Sequence, residues 1–274
     1  MTRLTTTDVR RLAARLPKID AGLRGVAGVD LHQLALRACG LDPGGSPLPG
    51  ARMAVVPISS GLGFIPFFSE CVAVILRHLG CDAFVTAEPD VKGLQEAAGG
   101  GAEAVFLADD DRFVALNIHS GACADDDPCT ANGFAAALDA AAGGVGGRPV
   151  LVMGLGPVGR AAARRLADMG AHVLAAEPRR SRAQAAKADY GVTLVTLRAG
   201  LAATGLVFDA TPVAGLVDTD WVGPGSIAAV PGLPSAFTPA AQALLGARHI
   251  HEPLAVGTAV MAVEALSGRV SSRA

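Results

Sequence analysis

The chain has 274 residues, which is enough for two domains of average size that share an interface. Hydrophobic residues make up 51% and charged residues 18% of the sequence, a composition typical of well-folded globular proteins and not of disordered ones. The net charge of -2 and the scattered arginines provide no broad basic surface, so nucleic acid is excluded as a predicted partner.

Hydropathy and cysteine usage predict a cytoplasmic protein without a membrane span. No apolar run reaches the roughly 18 consecutive residues that a membrane helix needs. The 5 cysteines are widely spaced and contain no C-x-x-C pair, which favours neither a disulfide framework nor a zinc site. His249 and His251 would share one face of a strand, but no further ligand clusters with them, so no metal is expected.

The N-terminal part of the chain reads as helices followed by alternating strands and helices. Residues 5–8 form a capping-box pattern ahead of apolar residues at helical spacing, which indicates a first helix and not a signal peptide. Glycines and prolines at 40–50 end this helical segment. Strands are then predicted at 53–58, 83–86, 104–108 and 113–116, and helices at 69–79 and 132–142.

A second cluster of glycine and proline, at 142–149, divides the chain into two predicted domains. Residues 1–142 would form an N-terminal substrate and lid domain, helical at first and then α/β, and residues 143–274 a Rossmann dinucleotide-binding domain. This second part predicts an α/β, doubly wound parallel sheet with helices on both faces. Its strands are expected at 150–153, 172–176, 193–197, 206–210 and 226–230, and helices at 158–169 and 182–189.

A glycine-rich motif follows the first strand of this second part and opens its first helix. Gly154 permits the tight turn, Gly156 lets backbone approach a pyrophosphate, and Gly159 allows close packing of helix on strand. Pro157 and Val158 complete the turn, where backbone N–H groups at a helix start form an anion site. The motif therefore predicts a dinucleotide site, the alternative being a glycine-rich turn that binds no nucleotide.

Glu177 ends the next strand, 177 − 156 = 21 residues beyond the middle glycine, where a ribose-binding acid is expected. A carboxylate at this position repels the 2′-phosphate of NADP, so the predicted cofactor is NAD. The neighbouring Arg179 and Arg180 keep NADP as an alternative, because a nearby arginine is how that phosphate is often accommodated.

Two later loops also follow strands that end at the predicted cofactor edge. One contains Ala210, Thr211 and Pro212, and the other begins with Pro231 and Gly232. We expect their backbones to flank the adenosine ribose and the nicotinamide. A turn chosen only for the geometry of its proline is the alternative for each loop.

Substrate chemistry is expected to come from the N-terminal half. Residues 58–70 form a strand end, a glycine-rich turn and a helix start with serines beside apolar side chains, and are suited to a polar head and an aliphatic tail. Asp109 follows an apolar strand, where a partly desolvated carboxylate would anchor an ammonium or accept its proton. A solvated acidic turn is the alternative there, and helix capping alone would explain the acids at 125–127.

Together these stretches resemble the PylD family of pyrrolysine biosynthesis dehydrogenases, from Leu4 to Leu266. The glycine-rich motif is generic, whereas the other matching stretches are specific. Those stretches are residues 56–63, 83–86, 89–91, 107–110, 128–130, 210–212, 231–234, 252–254 and 257–259.

The resemblance implies a homodimeric enzyme that uses NAD to oxidise the terminal primary amine of 3-methyl-D-ornithyl-N6-L-lysine. Loss of ammonia and ring closure would then give pyrrolysine. By the same resemblance Asp109 binds the reacting amine and is the catalytic candidate. The N-terminal helix would act as a closing lid. Polar groups of the substrate would be held by Ser60, Gly61 and Gly63, and its aliphatic parts by Leu4, Ile65 and Phe68.

The chain departs from the family at two of these positions. Asp126 stands where the family carries asparagine, so a neutral amide contact to the substrate becomes a charged one. Glu177 stands where the family carries aspartate, which preserves bonding to the ribose. Two other functions stay open from the residues alone: a dehydrogenase of another amino or hydroxy acid, and a non-enzymatic module that senses NAD.

Overall fold

The structure is a computed structural model that describes residues 12–61 and 67–268. The capping box at 5–8 and the predicted substrate residues Leu4, Gly63 and Ile65 lie outside these ranges. No helix within them is long and apolar enough to cross a membrane.

The described chain begins with the predicted helical segment. Helices α1 (Leu12–Ala27) and α2 (Leu31–Ala38) precede a single 3-10 turn at Pro43–Gly45, where the glycines and prolines cluster. Asp30 starts α2 with a capping box: its carboxylate accepts the N–H of Gln33 at 2.9 Å, and the Gln33 side chain accepts the N–H of Asp30 at 3.1 Å.

A five-stranded mixed sheet follows, in the order β2-β1-β3-β4-β5. The first three strands are parallel, and β4 and β5 are added by antiparallel hairpins because their connections are too short for a crossover. These strands are β1 (Arg52–Pro57), β2 (Asp82–Val85), β3 (Ala104–Ala108), β4 (Phe113–Asn117) and β5 (Cys123–Asp125). Helices α3 (Phe68–His78) and α4 (Asp90–Gly99) connect the parallel strands.

The second sheet is parallel throughout and has the order β8-β7-β6-β9-β10-β11. Counted along the sheet, this is the 3-2-1-4-5-6 order of a Rossmann domain, which confirms the predicted fold class. Its strands are β6 (Pro149–Met153), β7 (His172–Ala176), β8 (Thr193–Leu194), β9 (Leu206–Asp209), β10 (Ile227–Ala229) and β11 (His249–Ile250). Its helices are α6 (Pro157–Asp168), α7 (Arg180–Tyr190), α8 (Leu197–Ala203) and α9 (Pro239–Leu245).

Alternate side chains of the second sheet bury against helices on its two faces, as predicted for a doubly wound sheet. Val152 belongs to the same core cluster as Leu166 of α6, whereas Leu151 belongs to a second cluster with Leu201 of α8 and Ala241 of α9. Alternation along β6 therefore supplies both cores.

One predicted strand is too long at its end. The sequence predicts a strand over 193–197, but β8 ends at Leu194. The reason is a helix cap: the hydroxyl of Thr196 accepts the N–H of Ala199 at 3.2 Å and starts α8 at Leu197.

Two long helices pack on each other beside both sheets. They are α5 (Asp126–Ala142) and α10 (Ala255–Ser267), and α10 also contacts α2, α3, β4 and β5. The two helices approach closely because a Cβ on Gly133 of α5 would lie only 2.5 Å from Val256. The predicted division at 142/143 stays a prediction, and the last helix packs against residues of the first part.

Candidate active site

A cavity of about 1290 Å³ opens where the strands of the Rossmann sheet end, and one end of the first sheet closes its other side. The predicted cofactor residues lie along it, except Gly159. The lining on that side includes Gly154, Gly156, Pro157, Val158, Glu177, Ala210, Thr211, Pro212, Pro231 and Gly232. The opposite wall is formed by Phe68, Asp111, Arg112, Phe113, Asp125, Asp126, Asp127 and Thr130, with Pro253 and Leu254 beside them.

The three motif glycines have different reasons to lack a side chain. Gly154 turns the chain with a φ of +80°, a conformation that L side chains rarely adopt. A Cβ on Gly159 would overlap the carbonyl oxygen of Gly154, so this glycine seats α6 against the end of β6. A Cβ on Gly156 would meet no atom within 4 Å, because this position faces the cavity.

These observations fit a dinucleotide. Helix α6 begins at Pro157 with no side chain capping it, so its first N–H groups are available to an anion. The open space over Gly156 lies directly beside them. The pyrophosphate of a dinucleotide would be held here by backbone N–H groups and the positive end of the helix dipole.

Glu177 lies at the end of β7 and supports the glycine-rich loop. Its Oε2 accepts the N–H of Leu155 at 2.7 Å, and its Oε1 accepts the N–H of Arg179 at 2.8 Å. The carboxylate also lines the cavity, as do Arg179 and Arg182. The ribose-binding acid predicted from spacing is thus at the cavity edge, with two arginines nearby.

The loops after β9 and β10 are held together by a buried carboxylate. Asp209 accepts the N–H of Thr211 at 3.0 Å, the Thr211 hydroxyl at 2.7 Å and the N–H of Ala236 at 2.8 Å. Burial raises the pKa of Asp209, and the hydrogen bonds from Thr211 and Ala236 oppose that rise. A Cβ on Gly232 would overlap the carbonyl oxygen of Thr211, so the two loops touch along their backbones.

Asp109 lies outside the residues that line the cavity. Its Oδ1 accepts the N–H of Asp111 at 2.9 Å and the N–H of Arg112 at 2.8 Å, which closes the turn between β3 and β4. Hydrogen bonds from the backbone of Arg112 and Asp111 hold the pKa of this exposed carboxyl below its usual value. Arg112 itself reaches the cavity and pairs with Asp125.

The predicted serine and glycine turn lies beside the same hairpin. Ser60 and Gly61 are exposed, and a Cβ on Gly61 would overlap the carboxylate of Asp110. Of the predicted substrate residues of this segment that the structure describes, Phe68 lines the cavity. Its ring packs edge-on against Phe113 at a centroid distance of 5.2 Å, which gives the wall an aromatic patch.

Asp126 stands in the wall of the cavity, in the first turn of α5. Its Oδ1 accepts the hydroxyl of Thr130 at 3.0 Å and would lie 2.7 Å from a Cβ on Gly257 of α10. Burial raises the pKa of Asp126 to about 6; the negative charges of Asp127 and Asp125 add to the rise, and the Thr130 hydrogen bond opposes it.

Several residues of this wall were not predicted as site residues from the sequence. Asp127 lines the cavity, and burial followed by the charge of Asp125 raises its pKa. Thr130 and Leu254 also line the cavity, and both belong to sequence stretches that resemble the PylD family. That resemblance could have identified them as site residues. No local pattern marks Arg112 or Phe113, because they enter the site through the pairing of β4 with β3.

The two candidate metal-binding histidines are engaged within the protein. Nε2 of His249 lies 3.0 Å from the Ser235 hydroxyl, and Nδ1 of His251 lies 2.7 Å from the Val230 carbonyl oxygen. Burial lowers the pKa of His249 to about 4, and the neighbouring His251 adds to that shift. No group of three metal-ligating side chains occurs in residues 12–61 and 67–268.

Two solved dehydrogenase structures have a similar fold. Quinate dehydrogenase from Corynebacterium glutamicum, in complex with NAD, aligns with a TM-score of 0.51 at 16% identity over 81% of this chain and 95% of that one. Shikimate 5-dehydrogenase from Thermus thermophilus, in complex with NADP(H) and shikimate, aligns with a TM-score of 0.51 at 19% identity over 80% and 94%. At these identities the likeness establishes the Rossmann-type fold.

Two family models match consecutive parts of the chain. Residues 8–124 match the N-terminal domain of pyrrolysine biosynthesis protein PylD, and residues 116–215 match the NAD binding domain of D-isomer specific 2-hydroxyacid dehydrogenases. The chain is therefore an oxidoreductase whose cofactor is NAD.

Two curated relatives match almost the whole chain. The pyrrolysine synthase of Methanosarcina acetivorans is 31% identical over 95% of this chain and 98% of that protein. The pyrrolysine synthase of Methanosarcina barkeri is 30% identical over 95% and 97%. The chain belongs to the PylD family of pyrrolysine biosynthesis proteins.

Proposed function

We propose that the chain is an amine dehydrogenase that oxidises the terminal primary amine of 3-methyl-D-ornithyl-N6-L-lysine. The carbon that carries the amine would lose a hydride to the cofactor, and water would convert the resulting imine to an aldehyde with release of ammonia. The aldehyde would then condense with the α-amine of the same ornithine moiety, losing water, and give pyrrolysine.

The observation that carries this proposal is the composition of the shared cavity. One wall has the features of a dinucleotide site, and the facing wall has a half-buried carboxylate, Asp126, beside aromatic Phe68 and Phe113. An acidic group next to apolar surface suits a long substrate that ends in an ammonium group. The family relationship supports the particular amine.

The chain's own residues would divide the work as follows. Backbone N–H groups at the start of α6 and the carboxylate of Glu177 would hold the dinucleotide, which when bound accepts a hydride. Phe68 would exclude water from the aliphatic part of the substrate. Asp109, predicted from the sequence as the amine anchor, keeps that role only if the bound substrate reaches the β3–β4 hairpin.

Absorbance of NADH on mixing the protein, NAD and synthetic 3-methyl-D-ornithyl-N6-L-lysine tests the proposal, with the product identified by mass. NADH formation together with the mass of pyrrolysine is the expected result. Tight NAD binding without turnover of this substrate would overturn it. Amino and hydroxy acids tested in parallel would then reveal a different dehydrogenase, and absence of turnover with all of them would favour the NAD-sensing module.

A homodimer in the cytoplasm is proposed on the same family relationship. Light scattering of the purified protein measures its mass directly. A mass of twice the 27.5 kDa of one chain is expected, and a mass equal to one chain would contradict the dimer.

A further inference from the structure

We propose that Asp126 is the catalytic residue that accepts the proton of the substrate's ammonium group, through Oδ2. This role rests on the proposed amine oxidation. The carbon bonded to an ammonium nitrogen does not release a hydride until that nitrogen has lost a proton and become neutral. This role replaces the contact of a neutral amide, which the family resemblance implies at this position, with a group that takes up a proton.

The geometry leaves one oxygen of Asp126 for the substrate. Oδ1 is fixed by the Thr130 hydroxyl at 3.0 Å. Within the part of the chain that the structure describes, Oδ2 accepts no hydrogen bond. The absence of a side chain on Gly257 makes room for both Asp126 and Thr130, because a Cβ there would crowd the two side chains. A carboxylate anchored at one oxygen and open at the other is suited to proton transfer.

The surroundings keep this carboxyl available as a base near neutral pH. The pKa of Asp126 is raised to about 6, mainly by burial and in part by the negative charges of Asp127 and Asp125 on its own turn. Arg112 of the β3–β4 hairpin pairs with Asp125, and Arg112 and Arg160 of α6 lower the pKa of Asp127.

Helix α10 faces the same turn with a further acid, Glu264. Its Oε2 lies 3.4 Å from the thiol of Cys129, which follows Asp126 by three residues. The positive charge of the chain's N-terminal amino group lowers the pKa of Asp126 and so opposes part of the rise. Among the described side chains, none forms an ion pair with this carboxylate. The substrate's ammonium would place a positive charge beside Oδ2.

Asp109 is less suited to this step. Its Oδ1 already accepts two backbone N–H groups, its side chain is exposed, and these hydrogen bonds lower the pKa of the carboxyl. Asp125 is also committed, because it caps α5 through the N–H of Asp127 and pairs with Arg112. Asp126 and Asp127 both line the cavity and both have a raised pKa. Asp126 is the one whose carboxylate is anchored by the Thr130 hydroxyl and whose pKa is raised to about 6.

The step itself is a proton transfer. One N–H bond of the ammonium breaks, its electron pair stays on nitrogen, and the proton forms an O–H bond with Oδ2 of Asp126. The neutral amine then carries the lone pair that pushes the hydride from its carbon. Asp126 returns the proton to solvent after the product leaves.

The first test compares Asp126→Asn with the natural protein across the pH range, using NADH formation. We expect kcat/KM of the natural protein to fall as pH drops through about 6, because protonated Asp126 accepts no proton. Asp126→Asn should lower kcat/KM at pH 8 by about 10²–10⁴-fold and remove this acid limb. Asp127→Asn removes a neighbouring negative charge that raises the pKa of Asp126, so it should keep the acid limb but move it to lower pH. An unchanged rate and pH profile in Asp126→Asn would overturn the proposal.

A binding measurement separates this inference from the proposed function. Calorimetry follows 3-methyl-D-ornithyl-N6-L-lysine binding to the protein loaded with NADH, which accepts no hydride. We expect Asp126→Asn to weaken binding at least about tenfold, as expected for the loss of a charge-assisted contact, with Asp127→Asn affected less. The natural protein should take up or release protons on binding in a way that Asp126→Asn does not.

The outcomes are distinguishable. Binding that depends on Asp126 without any NADH formation would refute the amine oxidation and support Asp126 as the group facing the amine. Turnover and binding that are both indifferent to Asp126→Asn would refute the role of Asp126 and leave the amine oxidation standing. Neither turnover nor binding would overturn both.

Discussion

The Oε2 atom of Glu177 accepts the N–H of Leu155 at 2.7 Å, so the acid expected to contact the ribose also holds the glycine-rich loop. The same carboxylate accepts the N–H of Arg179 at 2.8 Å through Oε1. Two backbone donors thereby fix its position before a cofactor arrives. We therefore expect this one residue to influence both the shape of the pyrophosphate site and the choice of dinucleotide.

Substituting Glu177 should change cofactor preference. Glu177→Gln keeps an acceptor for the Leu155 N–H but removes the charge that repels a 2′-phosphate, so the ratio of NADP to NAD affinity should rise about tenfold or more. Glu177→Ala also removes the acceptor and should weaken NAD binding by about tenfold. Calorimetric Kd values for both dinucleotides measure this, with Asp189→Asn on α7 as a charge-matched control. An unchanged preference in Glu177→Gln would contradict the assigned role.

Alanine substitutions at two of the motif glycines should have different effects, one on NAD affinity and the other on the stability of the fold. Gly156→Ala places a methyl group in open space, so the melting temperature should hardly change while NAD affinity falls, because the methyl group occupies the pyrophosphate site. Gly159→Ala forces a methyl group onto the Gly154 carbonyl oxygen and should destabilise the fold by about 1–3 kcal/mol. Thermal unfolding and NAD titration of both variants provide the test. Equal loss of stability in both would mean that Gly156 does not face the cofactor.

Asp126→Asn should make the protein more stable at pH 7. The folded pKa of about 6 lies above the usual 3.8, so between these values the folded state binds more protons than the unfolded state, and stability falls as pH rises from about 4 to 6. Above pH 6 the full penalty, about 1–3 kcal/mol, persists, and the amide removes it. Urea unfolding at pH 4 and pH 7 measures the free energy of unfolding.

Asp218→Asn is a matched control with the opposite sign. Hydrogen bonds from Thr219 and Thr238 lower the pKa of Asp218. Its carboxylate therefore stabilises the folded state at any pH above the usual pKa of an aspartate, and replacing it with an amide should reduce stability at pH 7. If Asp126→Asn lost stability at pH 7 as this control does, the raised pKa of Asp126 would be wrong.

The Thr130 hydroxyl should tune the acid limb of the rate profile. Thr130→Val keeps the shape of the side chain but removes the donor to Oδ1 of Asp126, so the pKa of that carboxyl should rise by about half a unit to one unit. The limb in kcat/KM should move to higher pH by the same amount, whereas Thr130→Ser should leave it in place. If the acid limb of kcat/KM does not move in Thr130→Val, the limb belongs to a titrating group other than Asp126.

Local patterns predicted the Rossmann fold of the second part of the chain. The order of the apolar runs, the glycine motif and the spacing to Glu177 all reflect contacts between chain neighbours or adjacent strands, which a sequence displays directly. The shortened strand at Leu194 was missed because a hydroxyl cap at Thr196 outweighed the apolar pattern.

The substrate side depends on contacts that no local pattern carries. Asp109 and Asp126 both appear in the sequence as acids at the end of a strand. The structure distinguishes them: hairpin closure uses Asp109, whereas the packing of α10 against α5 partly buries Asp126 in the cavity wall. Gly257 lies 131 residues beyond Asp126 (257 − 126), and its lack of a side chain leaves the space that the buried carboxylate occupies.

The return of α10 to the first sheet has a consequence for synthesis on the ribosome. Strands β1 to β5 leave the exit tunnel early, but the helix that covers β4 and β5 is made only after the whole Rossmann sheet. The face of β4 and β5 that α10 covers therefore stays exposed while about 130 further residues are translated. This takes roughly 7–26 seconds at 5–20 residues per second. Nascent chains stalled before Ala255 should expose this surface to chaperones, and release of α10 should bury it.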